Sequence, residues 1–140
     1  MKPYQLIGPD GYATVEKPWG KEVWFALAPG YIGKIISIHP AKATSYHFHK
    51  EKDETIYVLS GELRVTIGKS RAIPFKDAID EIVQEGCAVR IQPGTPHMLS
   101  SWCHEPLVLL EVSLPFTDDS VRLEDPCNKR ACIGDEISEN

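Results

Sequence analysis

The stretch SYHFHKEKDETIYVLSG, residues 45–61, contains closely spaced histidines, an acidic residue and an apolar run that ends at a glycine. His47 and His49 are separated by one residue, so on a β-strand both side chains project from one face while Phe48 points to the other. That geometry suits chelation of a metal ion. The alternative interpretation is an exposed hairpin that happens to be rich in histidine, and the two histidines alone favour it.

Residues further along the chain favour the metal site. Glu54 follows a short polar turn and begins the next predicted strand. Ile56, two residues later, points to the same face as Glu54, and we expect that face to be the interior one. His97 follows a proline- and glycine-rich turn that could aim its imidazole into the same cavity. Three neutral imidazoles and one carboxylate suit a divalent ion and leave positions open for water or substrate. We therefore predict that His47, His49, Glu54 and His97 bind one divalent ion: zinc, iron, manganese, nickel or cobalt.

Length and composition limit the classes of protein to consider. The 140 residues are enough for one domain with a single core and a small pocket. The formal net charge of -5 disfavours a nucleic-acid or anionic-membrane surface. The N-terminal residues lack the apolar segment of a signal peptide, and no run approaches the roughly 18 apolar residues of a membrane span. We predict a cytoplasmic protein with a small-molecule substrate and no nucleic-acid or membrane partner.

The spacing of the cysteines is that expected of a protein in a reducing compartment. Cys87, Cys103, Cys127 and Cys132 form no CxxC pair and are interpreted as free thiols. A disulfide between Cys127 and Cys132 would matter only in an exported chain.

Apolar runs between glycine, proline and polar breaks recur along the chain, which is the pattern of an all-β domain. They predict strands over residues 22–28, 31–38, 54–60, 62–67, 87–91 and 107–114. Trp24, in the first of these runs, is expected to pack in the core. Residues 74–83 could carry a short helix, with Phe75, Ile79 and Ile82 on one face. Short strands at this spacing favour a sandwich or barrel, which can hold a ligand in its mouth.

Three charged residues are further candidates for the site. Lys34 places a cation on an otherwise apolar strand face, where it needs a partner unless its long side chain reaches water at a rim. Glu111 lies in a run that is apolar on both faces, which favours a buried and paired carboxylate. Arg122 could bind a substrate phosphate through two hydrogen bonds, or pair on the surface with Asp118 or Asp119.

Taken with their spacing, these residues resemble the motifs of the cupin superfamily. The first cupin motif is HxH, then glutamate after three or four residues, then glycine after six more, and residues 47–61 fit it. The second is a glycine, a Pro-x-Gly type of turn and a histidine, matched by Gly86, Gly94 and His97. Ala41 stands where the first motif usually opens with glycine. The resemblance implies an all-β double-stranded β-helix, or jelly-roll barrel.

A closer resemblance covers most of residues 16–125. EKPWG, YIGKIISIHPA, PGTPHML, LLEVSL and DDSVRLED are similar to the cupin domain of type II phosphomannose isomerases, which is usually fused to a mannose-1-phosphate guanylyltransferase. The resemblance implies a sugar-phosphate isomerase in which Lys34 and Glu111 are catalytic and Arg122 binds the phosphate. We expect one cupin domain over residues 1–140, with a polar tail at 126–140. The chain has no room for a nucleotidyltransferase domain, so that activity is not expected.

Two other functions fit the same cupin site. With iron, the open positions could bind dioxygen and substrate together, as in a metal-dependent oxygenase. A non-catalytic sugar-binding or sensor module would show affinity without turnover. We also expect a homodimer, because small cupins commonly pair through their sheets and exposed strand edges need covering.

Overall fold

The computed structural model describes residues 2–70, 77–101 and 104–123, and their regular structure is almost entirely β. A single 3-10 turn, Pro9–Gly11, precedes the strands. The strands are β1 Ala13–Lys17, β2 Gly20–Ala28, β3 Tyr31–Ile38, β4 His47–His49, β5 Glu54–Ser60, β6 Leu63–Ile67, β7 Ile79–Val83, β8 Ala88–Ile91, β9 His97–Ser101, β10 Leu107–Ser113 and β11 Ser120–Arg122. The predicted all-β class is confirmed. The expected tail, residues 126–140, lies outside the described residues.

The strands form two antiparallel sheets. One has the order β1-β2-β3-β10-β5-β8, and the other has the order β11-β4-β9-β6-β7. Ile36 and Val58 of the first sheet belong to the same buried cluster as Leu63 and Leu99 of the second. The sheets therefore share one core, which their inward-facing side chains fill at every second position.

Backbone conformation explains two glycines and one unusual alanine. Gly61, between β5 and β6, has a φ of 94°, and a Cβ there would lie 2.8 Å from the carbonyl oxygen of Pro106. Gly94, just before β9, has a φ of 84°, and a Cβ there would have no atom within 4 Å among those it could contact. Ala41, at the position where the resemblance expected glycine, also lies in the left-handed region, with a φ of 62°. An alanine there accepts a backbone conformation that costs L-residues about 1 kcal/mol.

The helix predicted for residues 74–83 is wrong over its described part. Ile79–Val83 form β7, which pairs antiparallel with β6. Ile79 and Ile82 are 46% and 48% exposed, so their spacing does not mark a buried helical face. Instead, the Asp80 carboxylate accepts hydrogen bonds from two side chains of β6. These partners lie outside the sequence window that suggested a helix. Phe75 lies outside the described residues.

The thiol and membrane predictions are tested only in part. Cys87 is free and exposed, while Cys103, Cys127 and Cys132 lie outside the described residues. Nowhere in residues 2–70, 77–101 and 104–123 is there a helix of the length and apolarity needed to span a membrane.

Candidate metal centre

A cavity of about 390 Å³ is lined by side chains from both sheets. Its lining includes every residue that the sequence predicted for the site: Lys34, His47, His49, Glu54, His97, Glu111 and Arg122. The fold thus brings together residues that are spread over 89 positions of the chain, from residue 34 to residue 122.

Strand register places the four predicted metal ligands. His47 and His49 are the two ends of β4, and His47 is the register partner of His97, the first residue of β9. Glu54 is the first residue of β5. The Gly94 amide donates a hydrogen bond of 2.7 Å to the carbonyl oxygen of His49, which ties the turn before β9 to the end of β4. Because strand ends meet here, ligands from three strands reach one point.

Each of the three histidines offers one ring nitrogen to a common point. One ligand atom from each histidine lies within 4.8 Å of the others. His47 and His97 each use Nδ1 to contact the backbone carbonyl two residues earlier, at 2.8 Å and 2.9 Å. His49 Nδ1 lies 3.0 Å from Asp119 Oδ1. Carbonyl and carboxylate oxygens only accept hydrogen bonds, so each Nδ1 carries the proton of the neutral ring and each Nε2 keeps a lone pair.

Glu54 adds a carboxylate to the three imidazoles, and together they form a group of acceptors that could hold a cation. Its Oε2 lies 3.2 Å from His97 Nε2 and 3.4 Å from His49 Nε2, is buried, and accepts no hydrogen bond from the described residues. Lone pairs that face one another in a buried site are unfavourable unless a positive charge lies between them. The donor set of three imidazoles and one carboxylate fits a divalent metal ion.

Burial keeps the imidazoles of His47 and His49 in the neutral form that binds a metal. Burial, together with the neighbouring His97 and His49, lowers the pKa of His47 to about 3. Burial also lowers the pKa of His49, and the Lys52 charge adds to that effect. Neutral imidazole is the species that binds metal.

Lys34 and Glu111 both line the cavity, but their charges are not paired with each other. They are register partners on β3 and β10. Lys34 Nζ lies 3.4 Å from Glu22 Oε1 and 4.3 Å from the ring centroid of Trp24. Trp24, predicted to pack in the core, is half-buried and lines the cavity instead. Glu111 Oε2 lies 3.3 Å from Lys52 Nζ.

Glu111 is a carboxyl group in an unusual environment. Burial, and after it the negative charge of Glu54, raise its pKa to about 7, because the charges of Lys52 and Lys34 oppose them only in part. For Lys52, burial alone would lower the pKa, but Glu111 and Glu54 outweigh it and the pKa is raised. The pair therefore joins a permanent cation to a carboxyl group that can hold or release a proton near neutral pH.

Lys52 and Asp119 are among the residues of the site that the sequence analysis did not assign to it. Lys52 was interpreted only as part of a polar turn. Asp119 Oδ2 accepts hydrogen bonds of 2.8 Å from the amides of Glu51 and Lys52, while its other oxygen holds His49. Asp119 is 70 residues from His49 along the chain. No local pattern signals such a contact.

Arg122 lies at the edge of the cavity. It ends β11, is the register partner of His47, and is exposed. Neither Asp118 nor Asp119 lies within ion-pair distance of it, so the surface pairing considered for Arg122 is not formed. The guanidinium is left to face the cavity and solvent.

Curated relatives are similar in sequence to this chain over a limited part of their length. The chain is 30% identical over 112 residues to a putative mannose-1-phosphate guanylyltransferase of Vibrio cholerae, covering 78% of this chain and 22% of the relative. It is 30% identical over 117 residues to a mannose-1-phosphate guanylyltransferase of Salmonella typhimurium, covering 81% of this chain and 22% of that protein. The chain thus spans about a fifth of the length of both relatives.

Solved structures share the fold. The capsular polysaccharide assembling protein CapF of Staphylococcus aureus matches with a TM-score of 0.72 at 18% identity, over 81% of this chain and 34% of that one. Oxalate decarboxylase of Bacillus subtilis, studied for its Mn(II) centres, matches with a TM-score of 0.62 at 25% identity, over 78% of this chain and 29% of that one. The expected jelly-roll architecture is confirmed. A family model for the cupin domain matches residues 34–113, more than half of the 140, and the chain therefore belongs to the cupin domain family.

Proposed function

We propose that this cupin binds one divalent metal ion at His47, His49, Glu54 and His97 and isomerises a sugar phosphate related to mannose 6-phosphate. One observation carries the proposal: the acceptor cluster opens into the same cavity as a buried carboxyl group and two buried ammonium groups. The relatives named as mannose-1-phosphate guanylyltransferases support a phosphorylated mannose as the chemical class of the ligand.

Aldose–ketose isomerisation needs few groups, and the cavity has candidates for each role. A proton must leave one carbon of the sugar and return to the neighbouring carbon, while a hydroxyl proton moves between the two oxygens. A divalent ion in the acceptor cluster would polarise the sugar carbonyl and its neighbouring hydroxyl. Glu111 takes the proton from carbon and returns it to the adjacent carbon. Its burial suits a base that works near neutral pH.

The cations of the cavity bind the substrate in this proposal. The Lys34 ammonium, held above Trp24 and beside Glu22, donates hydrogen bonds to sugar oxygens. Arg122 at the mouth binds the phosphate, which its planar guanidinium can contact through two hydrogen bonds. This places the phosphate near solvent and the reacting carbons beside the acceptor cluster.

The experiment begins with metal analysis of the purified protein, followed by a panel of sugar phosphates assayed for isomerisation with each candidate metal. Lys34→Met and Glu111→Gln are expected to retain the metal and to unfold within a few degrees of the wild type, while kcat falls about 10²–10⁴-fold. Lys21→Met and Glu81→Gln, on exposed positions of β2 and β7, are the matched controls.

The outcomes separate this proposal from its alternatives. If both cavity variants lose stability while the folded fraction keeps full activity, Lys34 and Glu111 stabilise the barrel and take no part in the reaction. Oxygen consumption by the ferrous protein would favour a metal-dependent oxygenase. Sugar-phosphate affinity without turnover by any metal form would favour the binding or sensor module.

A further inference from the structure

Lys52 places an ammonium between two carboxylates inside the cavity. The residue is 6% exposed, and its Nζ lies 3.3 Å from Glu111 Oε2 and 3.9 Å from Glu54 Oε1. Its neighbours Lys50 and Glu51 are exposed on the same segment. Lys52 therefore turns inward from a polar stretch and bridges a proposed metal ligand and the proposed base.

The backbone holds Lys52 in this place. Asp119 Oδ2 accepts hydrogen bonds of 2.8 Å from the amides of both Glu51 and Lys52. The same carboxylate contacts His49, so the segment carrying Lys52 is fixed relative to the acceptor cluster. A buried ammonium fixed by its backbone can set the position of the carboxylate that it contacts.

The position of Glu111 matters because a carboxylate is itself a good ligand for a divalent ion. Glu111 and Glu54 share one ammonium in one cavity, so a small movement could make Glu111 a second carboxylate ligand. It would then occupy an open position at the ion and could no longer act on substrate. The Lys34 ammonium contacts Glu22 and Trp24, whereas the Lys52 ammonium lies within ion-pair distance of Glu111.

We propose that Lys52 is a positioning residue that holds the Glu111 carboxylate away from the metal ion, which keeps a metal position open and leaves Glu111 directed at substrate. The catalytic part of this inference rests on the proposed isomerase function. The part that concerns the open position rests only on metal binding.

The test measures bound water as well as activity. Wild type, Lys52→Met and Lys52→Gln are loaded with Mn²⁺, and water-proton relaxation counts the water molecules on the ion. Without Lys52, Glu111 is expected to displace about one water, while the Kd for Mn²⁺ stays within about threefold or becomes tighter. On an accepted sugar phosphate, kcat is expected to fall about 10²-fold with KM within about threefold.

Two further variants separate positioning from a general loss of structure. Lys50→Met, two residues away and exposed, is expected to match the wild type in bound water and in activity. In the double variant Lys52→Met, Glu111→Gln, the bound water is expected to return, because the neutral amide is a weaker ligand than the carboxylate. Lys52→Arg retains a cation and is expected to retain the wild-type water count.

The proposal is overturned if Lys52→Met or Lys52→Gln has the wild-type number of bound waters, or if the double variant still lacks the water. If neither single variant folds, Lys52 is needed for stability, and the proposed positioning role is overturned as well. A wild type that isomerises no sugar phosphate contradicts the proposed function, while the water count still decides the role of Lys52. A wild type that binds no Mn²⁺ overturns both.

Discussion

The two ends of the barrel interior are built on the same strands but held together differently. On β5, Glu54 is followed at the next inward positions by Ile56 and Val58, and on β10, Leu107 and Leu109 precede Glu111. One end of each strand therefore adds to the core and the other end to the cavity. The apolar end needs only side chains of matching volume.

The polar end needs partners from elsewhere in the chain. Its buried charges face one another at specific distances, and two of the groups that hold them, Lys52 and Asp119, lie outside the strands. A buried charge without a partner costs far more than a small packing defect. Strand alternation alone builds a core, whereas a site also needs loops that are held in a fixed place.

The largest effect is expected at the polar end. Replacing His47 and His49 together by alanine should weaken the affinity for Zn²⁺ or Mn²⁺ by at least about 10³-fold, since both imidazole ligands of β4 are lost. Titration calorimetry measures it, and His39→Ala, an exposed histidine outside the cavity, is the control. Metal retained at one ion per chain by the double variant would rule out the proposed ligand set.

At the apolar end, the effect should be on stability alone. Leu109→Ala removes a side chain that is 0% exposed and is expected to cost about 3 kcal/mol of unfolding free energy. The Kd for the metal should stay within about threefold, because the ligands keep their strands. Denaturant unfolding measures the change in unfolding free energy. Val112→Ala, 51% exposed on the same strand, should cost under about 0.5 kcal/mol. A large loss of metal affinity in the folded Leu109 variant would show that the two ends are not independent.

Asp119 tests whether loop contacts hold the polar end. Asp119→Asn is expected to weaken metal affinity about 10–100-fold, because it changes the partner that orients His49 and the acceptor for two amides. The neighbouring Asp118→Asn, at an exposed position, should leave the affinity unchanged. Equal affinities for the two variants would mean that β4 orients His49 without help.

The glycines that close each end test the backbone conformation of the turns. Gly61→Ala should cost at least about 2 kcal/mol, since its φ of 94° disfavours a side chain and the new Cβ would lie 2.8 Å from Pro106. Gly94→Ala, with a φ of 84° and no atom within 4 Å of the new Cβ, should cost about 1 kcal/mol. Thermal unfolding compares them. A larger loss for Gly94→Ala would contradict the assignment of the tighter turn to the apolar end.

Much of the fold followed from alternation along the chain. The predicted runs correspond to β2, β3, β5, β6, β8 and β10, because their inward positions are apolar at every second residue. β1, β7, β9 and β11 were not predicted, for different reasons. β9 has histidine and serine among its buried residues, β11 has three residues, and β1 and β7 are mostly exposed. Such strands are defined by hydrogen bonds to their neighbours and not by their own composition.

The pattern of residues along the chain predicted which of them share a face, because side chains alternate along a strand with a period of two. Together with the motif spacing, it predicted that His47, His49, Glu54 and His97 share one cavity and that Glu111 lies inside. Which charges meet depends instead on the three-dimensional fold. The Lys52 to Glu111 contact joins residues 59 positions apart, and Lys34 lies against Glu22 instead. Ion pairing depends on distances through space, which a local repeat does not specify.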